Sequence, residues 1–394
     1  MPTTRSAEPK YRRRRQMAGA LSIALVVLLV AIGGYVYYVR EVAAPRDYDG
    51  TGNGTVVMVR VDQGDSVASL TQELLDRKII GSRGAMLQAA EESEHSGSGG
   101  LHAGYYPLQE KMSAKAVMDT LTDESKRRGV VDIPNGLPLD DVRVVGGDTR
   151  EGVLTLISRQ TCEGTGDRAT DATCVTPEEL SDTIAQTSPE ELGVPAWAVK
   201  PVSARGDDPR RIEGLIAPGV HLFDPTSEPK QIIHDIVASS AETYEGTGLE
   251  RSAQSLGLTP YQVITAASLI EREAPEGDFD KVARVILNRL HENKKLEFDS
   301  TVNYSVDEQE VATTDEDRAR RTPWNTYAKE GLPDTPIASP GLQALHAMEN
   351  PADGDWLYFV TVDKDGTTVF NRDFSEHEKA IEQSRQGGVL DSGR

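Results

Sequence analysis

Two glutamates end an apolar helical segment, and one of them lies at the margin of its buried face, a position that suits a general acid. The segment Thr259 to Ala274, TPYQVITAASLIEREA, is predicted to form a single helix. At about 100° per residue, Glu271 projects within roughly 20° of Ile264, on the margin of the apolar stripe. Burial there would disfavour the carboxylate and raise its pKa, which suits a group that protonates a leaving oxygen.

The start of this helix is also predicted from local sequence. Thr259 and Gln262 have the spacing of a capping box, and Pro260 suits the first helical position. Glu273 lies on the opposite margin of the stripe, so the pattern by itself does not separate the two acids. A carboxylate that only ends a helix at the edge of the core remains the alternative for both Glu271 and Glu273.

Segments downstream of this helix resemble, in their order, the YceG-like endolytic murein transglycosylases (the MltG family). The helix itself contains ASLIERE, similar to the A-S-[IL]-[IV]-E-[KR]-E motif of that family. The other matching segments are DKVARVILNRL (Asp280 to Leu290), LEFDSTVNY (Leu296 to Tyr304), NTY (Asn325 to Tyr327), GLPDTPIASPG (Gly331 to Gly341) and YFV (Tyr358 to Val360).

The resemblance implies that Glu271, the first glutamate of the motif, is the catalytic residue. In the resembled enzymes one glutamate protonates the glycosidic oxygen and then helps to deprotonate the 6-hydroxyl of N-acetylmuramic acid, which leaves a 1,6-anhydro end. An ordinary hydrolase of the same glycan is the first alternative, and it would need a second carboxylate such as Asp299. A non-catalytic envelope scaffold or glycan-binding protein is the second alternative.

Several polar residues in the matching segments are candidates for substrate binding. Asp299 has the competing interpretation of a turn or helix cap, and the NTY segment could equally close a loop against the core. Glu213, the acid in the segment IEGLIAPGVHLF, matches a glutamate that the family frequently retains. The resemblance implies substrate contacts by Glu213, Asp299, Thr301, Asn325, Thr326 and Tyr327.

The chain departs from the family pattern at four positions. Asn135 stands where the I-P-E-G step has glutamate, and Thr368 stands where a histidine is common. Ala217 replaces a common aromatic residue, and His221 replaces a common tyrosine. The segment therefore lacks the two aromatic residues with which the family pattern could stack a sugar.

Composition restricts the partners that this protein can have. The chain has 394 residues and a net charge of −21, of which the first 40 residues contribute +6 and the rest −27. The part of the chain after residue 40 is too acidic to bind nucleic acid over a broad surface. No HExxH, P-loop, GxSxG or strand-linked GxGxxG motif occurs, so we expect no metal and no cofactor. Cys162 and Cys174 could form a disulfide in an oxidising compartment or remain free thiols.

The N-terminal region is predicted to anchor the protein in a membrane. Residues 18–39 carry no charge and span roughly 33 Å as a helix, enough for a bilayer core. The run Arg12 to Arg15 before them predicts a cytoplasmic N-terminus. We therefore expect a single-pass protein of the inner (plasma) membrane with an extracytoplasmic catalytic domain. A cleaved signal peptide is the alternative.

The sequence predicts an α+β protein with a single N-terminal transmembrane helix and a catalytic domain of helices and short antiparallel strands. The strand VVMVRV, the following GDSVASLTQ and the later GYY resemble the small LysM-like module that precedes the catalytic domain in this family. The module could equally be a packing domain without glycan contact. The resemblance implies that peptidoglycan glycan strands are the substrate, and that peptidoglycan synthases (penicillin-binding proteins) and the division or elongation machinery are partners. The predicted boundaries are 1–17 (basic tail), 18–39 (membrane), 40–54 (linker), 55–125 (LysM-like), 126–385 (catalytic, with a two-cysteine insertion near 149–194) and 386–394 (tail).

Overall fold

The computed structural model describes residues 25–35, 46–95, 100–144, 147, 149–162, 174–306, 308–309 and 313–388. Helix α1 covers residues 25–35, and all of its residues are exposed. Within the described ranges, no helix has both the length and the apolar character that crossing a membrane requires. The rest of the predicted membrane segment 18–39, together with the basic tail 1–17, lies outside those ranges.

The chain forms two compact units, and strands β1 and β2 contribute residues to both. In the first unit, Leu74, Met86 and Leu121 are fully buried. Ser66 and Ser113 cap the helices that follow them. The described elements before residue 124 are β1 (Val56–Val61), α2 (Val67–Asp76), α3 (Arg83–His95), β2 (Gly104–Gln109) and α4 (Ala114–Leu121).

The second unit contains the segments that matched the family motifs. Its helices surround short two- and three-stranded sheets, so the predicted α+β class is confirmed. The described elements from residue 124 onward, apart from short 3₁₀ turns, are β3 (Val130–Ile133), β4 (Val142–Val144), β5 (Thr149–Arg150), α5 (Val153–Cys162), α6 (Pro177–Gln186), α7 (Ala196–Ala204), β6 (Gly219–Leu222), α8 (Pro229–Glu245), α9 (Leu249–Leu256), α10 (Pro260–Glu273), α11 (Phe279–His291), α12 (Asp299–Asn303), β7 (Glu308–Gln309), α13 (Asp315–Ala319), α14 (Leu342–Glu349), β8 (Tyr358–Thr361), β9 (Thr368–Asn371) and α15 (Phe374–Gln386).

Most strand pairs are antiparallel, as predicted, and one is parallel. Strand β3 pairs with β6 so that Val131 lies opposite His221, and β8 pairs with β9. In the β5-β4-β7 sheet, Arg143 lies opposite Glu308 in parallel register. A parallel pair needs a long connection between its strands, and local sequence patterns carry no information about such a pairing.

Helix α10 is the centre of the larger core. The predicted capping box is present, since Thr259 Oγ1 accepts from Gln262 N and the Gln262 side chain accepts from Thr259 N. The sequence predicted one buried stripe, but every residue from Val263 to Ile270 is buried. The small residues in that run allow α11 and α14 to pack closely on the other faces. The Ser268 hydroxyl accepts from Ile337 N at 3.1 Å, which ties the 331–341 loop to the helix.

The two-cysteine insertion is only partly described. Helices α5 and α6 lie on either side of it, and residues 163–173 are outside the described ranges. Cys174 is disulfide-bonded, and the only other cysteine in the sequence is Cys162. This agrees with the disulfide alternative for the pair.

Gly214 has no room for a side chain. Its φ is +72°, and a Cβ there would lie 2.4 Å from Pro336 Cβ and 3.0 Å from Ala338 O. We expect Gly214→Ala to lower the free energy of unfolding by about 3 kcal/mol, because left-handed backbone strain adds to the steric clash. Urea denaturation of both proteins measures this loss.

The matched control is Gly277→Ala. Nothing lies within 4 Å of a Cβ at Gly277, and its φ is not in the left-handed region. The control should therefore change stability by less than about 1 kcal/mol. Similar losses for the two variants would contradict the packing argument for Gly214.

Candidate active site

Glu271 lies in the last turn of α10, where the buried helix reaches the surface. Its side chain is half-buried, whereas Ile270 before it is fully buried and Arg272 after it is exposed. Gly341 N donates a hydrogen bond of 3.0 Å to Glu271 Oε2. The helix thus fixes the backbone position of Glu271, and the end of the 331–341 loop fixes one of its carboxyl oxygens.

A second loop passes beside the same carboxyl group. Gly136 has a φ of +71°, and a Cβ there would lie 3.4 Å from Glu271 Cγ. Gly136 N donates to Ser339 O at 2.8 Å, and Ser339 N donates to Leu137 O at 2.9 Å. Backbone hydrogen bonds therefore join the two loops that flank Glu271, and Arg272 Nη1 donates to Gly136 O at 3.3 Å.

The electrostatic surroundings of Glu271 favour its neutral form. Burial raises the pKa of its carboxyl above the usual range, and the charge of Glu276 raises it further. The Gly341 N–H and the guanidinium of Arg272 favour the carboxylate but offset only part of this rise in pKa. A raised pKa keeps a larger fraction of the carboxyl group protonated and able to donate, and the carboxylate that is left can take the proton back.

Glu273 has a different role in the structure. Its Oε1 accepts from Ser300 N at 3.2 Å, at the first turn of α12. Burial raises the pKa of Glu273, and the nearby charge of Asp299 raises it as well. Glu273 thus satisfies a free N–H group at the start of a helix, whereas Glu271 lies between two loops.

Asp299 is the first residue of α12 and forms several hydrogen bonds across to another segment. Its carboxylate accepts from Tyr327 Oη at 2.8 Å, Thr313 Oγ1 at 2.8 Å and Arg318 Nη2 at 3.0 Å. The side chain of Asp299 is 42% exposed. The structure therefore brings together Asp299 and Tyr327 of the predicted site. The charge of Asp299 raises the pKa of Glu273, whereas the carboxylate whose charge raises the pKa of Glu271 is Glu276.

Three predicted site residues are buried beneath this pair. Thr301 and Thr326 are fully buried, and their hydroxyls are 2.9 Å apart. Asn325 is also fully buried, and its amide donates to the carbonyls that end α13, including Arg320 O at 2.6 Å. These contacts correspond to the loop-closing alternative for the NTY segment. Direct contact with substrate stays a prediction, and Tyr327 and Asp299 have the more accessible polar atoms.

Glu213 is also buried, with 1% of its surface exposed. Its carboxyl accepts from Leu139 N at 3.1 and 3.0 Å and from Tyr304 Oη at 2.7 Å. Burial raises its pKa to about 7 against the opposing effect of these hydrogen bonds. Since Leu139 follows the loop that contains Gly136, Glu213 connects this loop to the residue that follows α12.

Two of the departures from the family pattern contact each other. His221 and Ala217 are both buried, and His221 Nε2 lies 2.6 Å from Ala217 O. Burial lowers the pKa of His221. These residues stabilise the interior of the segment, and neither offers an exposed aromatic face.

Sequence reasoning missed four residues around Glu271. Gly341 binds it through its backbone N–H, Gly136 lies beside its Cγ, and Asn135 packs its carboxamide against Gly341, where a Cβ would lie 2.6 Å from Asn135 Nδ2. Glu276 acts on Glu271 through its charge. The sequence motifs around Asn135 and Gly341 marked both segments as important. They did not indicate that the two segments lie close together. Among the described residues, no three His, Cys, Asp or Glu side chains converge as metal ligands would.

Comparisons with known proteins find relatives that match most of this chain. The endolytic murein transglycosylase of Bacillus subtilis (strain 168) is 26% identical over 361 residues, covering 89% of this chain and 90% of the relative. A protein of the same name from Streptococcus pneumoniae (strain D39) is 24% identical over 382 residues, covering 92% of this chain. This chain spans 64% of that pneumococcal relative.

The crystal structure of a Listeria monocytogenes protein described as YceG-like has a similar fold. It superposes with a TM-score of 0.50 at 23% identity, covering 83% of this chain and 99% of the Listeria chain. The model of the YceG-like family matches residues 59–383, which include both loops and both glutamates of the candidate site. The chain therefore belongs to the YceG-like family.

Proposed function

We propose that this protein is an endolytic lytic transglycosylase of peptidoglycan. It cleaves the bond between N-acetylmuramic acid and N-acetylglucosamine within nascent glycan strands, leaves 1,6-anhydro ends and so ends strand elongation. The main support is Glu271, a carboxyl group with raised pKa between two backbone-linked loops. The names of the Bacillus and pneumococcal relatives support the same reaction class.

In this mechanism Glu271 acts twice. Its proton passes to the glycosidic oxygen as the bond to the anomeric carbon breaks. The resulting carboxylate, held by Gly341 N, then accepts the proton of the 6-hydroxyl as that oxygen bonds to the same anomeric carbon. No water is consumed, and the raised pKa suits both steps. Asp299 and Tyr327 would bind sugar hydroxyls, with Thr301, Asn325 and Thr326 holding them from below.

The mass of the products tests this proposal. The full chain in detergent is incubated with un-crosslinked glycan strands, and the fragments are identified by mass spectrometry. Internal cuts with anhydro ends support the transglycosylase. Fragments one water heavier would indicate a hydrolase, for which Glu276 is a second carboxylate close enough to act on Glu271. The absence of any cleavage would favour the scaffold or glycan-binding alternative.

Membrane anchoring belongs to the same proposal. Residues 18–39 would form the single span, with the N-terminus in the cytoplasm and the catalytic domain, residues 126–385, outside it. The disulfide at Cys174 supports an oxidising compartment for the domain. In this location the enzyme would meet glycan as it leaves peptidoglycan synthases and the division or elongation machinery. Protease digestion of intact spheroplasts tests the orientation, since only an extracytoplasmic domain is digested.

We also propose that residues 55–125 form a LysM-like module that binds glycan containing N-acetylglucosamine. The support is the resemblance of this segment to the module that precedes the catalytic domain in the family. Binding of the full-length Glu271→Gln protein to chitin oligosaccharides, with hydrogen–deuterium exchange locating the site, tests this function. Protection confined to residues outside 55–125 would assign the segment to packing alone.

Asn135 offers a test of the acid role by pH. Glu271 must be protonated to act as an acid, so activity should fall as the pH rises through its pKa. Asn135→Glu would place a second carboxyl group beside Gly341, close to Glu271. Because like charges raise a carboxyl pKa, we expect the alkaline limb of the kcat/KM profile to move up by roughly one pH unit.

The control for this shift is Asn135→Gln, which keeps an uncharged amide. It should leave the alkaline limb within about 0.2 units of its original pH, whatever its effect on rate. A limb that moves equally in both variants, or moves down in Asn135→Glu, would show that Glu271 does not set it.

A further inference from the structure

A cavity of about 410 Å³ opens beside the loop that contacts Glu271. The Glu213 carboxyl and Tyr304 lie at its inner end, joined by their 2.7 Å hydrogen bond. Pro138 forms part of its wall, only two residues after Gly136. Two residues span at most about 7 Å, so the cavity begins within that distance of the residue that flanks Glu271.

The cavity presents charges of both signs. Arg143 and Asp140 line it and are exposed, no described side chain lies within ion-pair distance of either, and the charge of Arg210 acts on Asp140. Arg210, also in the lining, is held in place by Asp208 at 3.1 Å and by stacking 4.0 Å above the ring of Trp324. A neutral sugar can form hydrogen bonds with such groups but leaves both charges unpaired, whereas a ligand with both a carboxylate and an ammonium group can pair with each sign.

We propose that this cavity binds the stem peptide of the glycan strand being cut, through the carboxylate and ammonium groups of the peptide. This inference rests on the proposed function, because the stem peptide is attached to the N-acetylmuramic acid whose bond Glu271 breaks. A cavity of about 410 Å³ is of the size that holds a small ligand, here two or three amino acids. The Arg143 guanidinium would receive the carboxylate and Asp140 the ammonium group.

Binding of the isolated peptide tests the site without requiring cleavage. Isothermal titration would use full-length Glu271→Gln protein and two synthetic N-acetylated stem tripeptides, one ending in lysine and one in diaminopimelate, so that the only ammonium group is that of the third residue and its two sources are distinguished. We expect at least one to bind and Arg143→Ala to weaken it about tenfold. The control Arg251→Ala, an exposed arginine in α9, should leave the affinity unchanged. Failure of both peptides to bind, or equal affinity after Arg143→Ala, would overturn the proposal.

Cleavage gives the second measurement. Strands with intact stems and strands stripped of peptide by an amidase are compared as the ratio of their kcat/KM values. The ratio should fall about tenfold in Arg143→Ala and in Asp140→Asn. An unchanged ratio, or competition by peptide-free disaccharide for the tripeptide site, would make the cavity a sugar subsite. A protein that binds the tripeptide but cuts neither strand would refute the proposed function and leave the peptide site standing.

Discussion

Glu271→Gln is expected to lower the rate of glycan cleavage by at least 100-fold, and up to about 10,000-fold. Glutamine has the shape of glutamate and can still accept from Gly341 N, so the two flanking loops should keep their positions. It cannot supply the proton that the leaving oxygen needs. The measurement is the initial rate at which anhydro ends appear from un-crosslinked strands, with wild type and variant at equal concentration.

Glu273→Gln is the matched control, two residues further along the same helix. Its side chain can still accept from Ser300 N and so keep α12 in place. We expect its rate to remain within a few-fold of wild type. If Glu273→Gln abolishes cleavage and Glu271→Gln does not, the catalytic assignment is wrong. If neither variant changes the rate, cleavage does not depend on this helix end.

The buried carboxyl of Glu213 should make the protein less stable as the pH rises. Its pKa is about 7 in the folded state, against about 4.5 in the unfolded chain. The folded state therefore holds its proton more tightly, and this contribution to stability is complete below pH 4.5 and is lost as the pH rises through 7. A difference of this size corresponds to about 3 kcal/mol. Urea denaturation at pH 5 and pH 8 measures it.

Glu213→Gln isolates this contribution from the other titrating groups. The amide stays neutral at every pH, can accept from Leu139 N and can bond to Tyr304 Oη. The stability curves of the two proteins should lie within about 1 kcal/mol at pH 4.5, separate as the pH rises from 4.5 to 7 and stay apart above pH 7, with the variant the more stable. Parallel curves, or a wild type that gains on the variant as the pH rises, would contradict the raised pKa.

Local sequence was sufficient for the helix that contains the proposed acid. The predicted start at Thr259 and its capping box are confirmed, because a cap depends on residues only three positions apart. The α+β class followed in the same way from short periodic segments. Asp299 was less predictable. It begins a short helix, but its bonds to Tyr327 and Arg318 depend on a fold that joins distant segments.

The surroundings of Glu271 could not be predicted from periodicity. Gly136 and Gly341 are more than 200 residues apart in sequence, and they meet because backbone groups of their two loops pair. Glu213 and Tyr304 are 91 positions apart and meet inside the protein. Motif resemblance indicated which segments matter, but neither the hydrogen bond from Gly341 nor the burial of Thr301 and Asn325 has a local signal.

The position of Glu271 at the end of α10 has an electrostatic consequence. Aligned peptide dipoles give the carboxyl end of a helix a partial negative charge, so an acid there is disfavoured by about 0.3–1 kcal/mol. This helix ends with two acids, Glu271 and Glu273. Its own backbone therefore helps to keep the proton on Glu271. Removing the charge at this end should leave the inactive variant at least as stable as the wild type, so it could hold an uncut strand for structure determination.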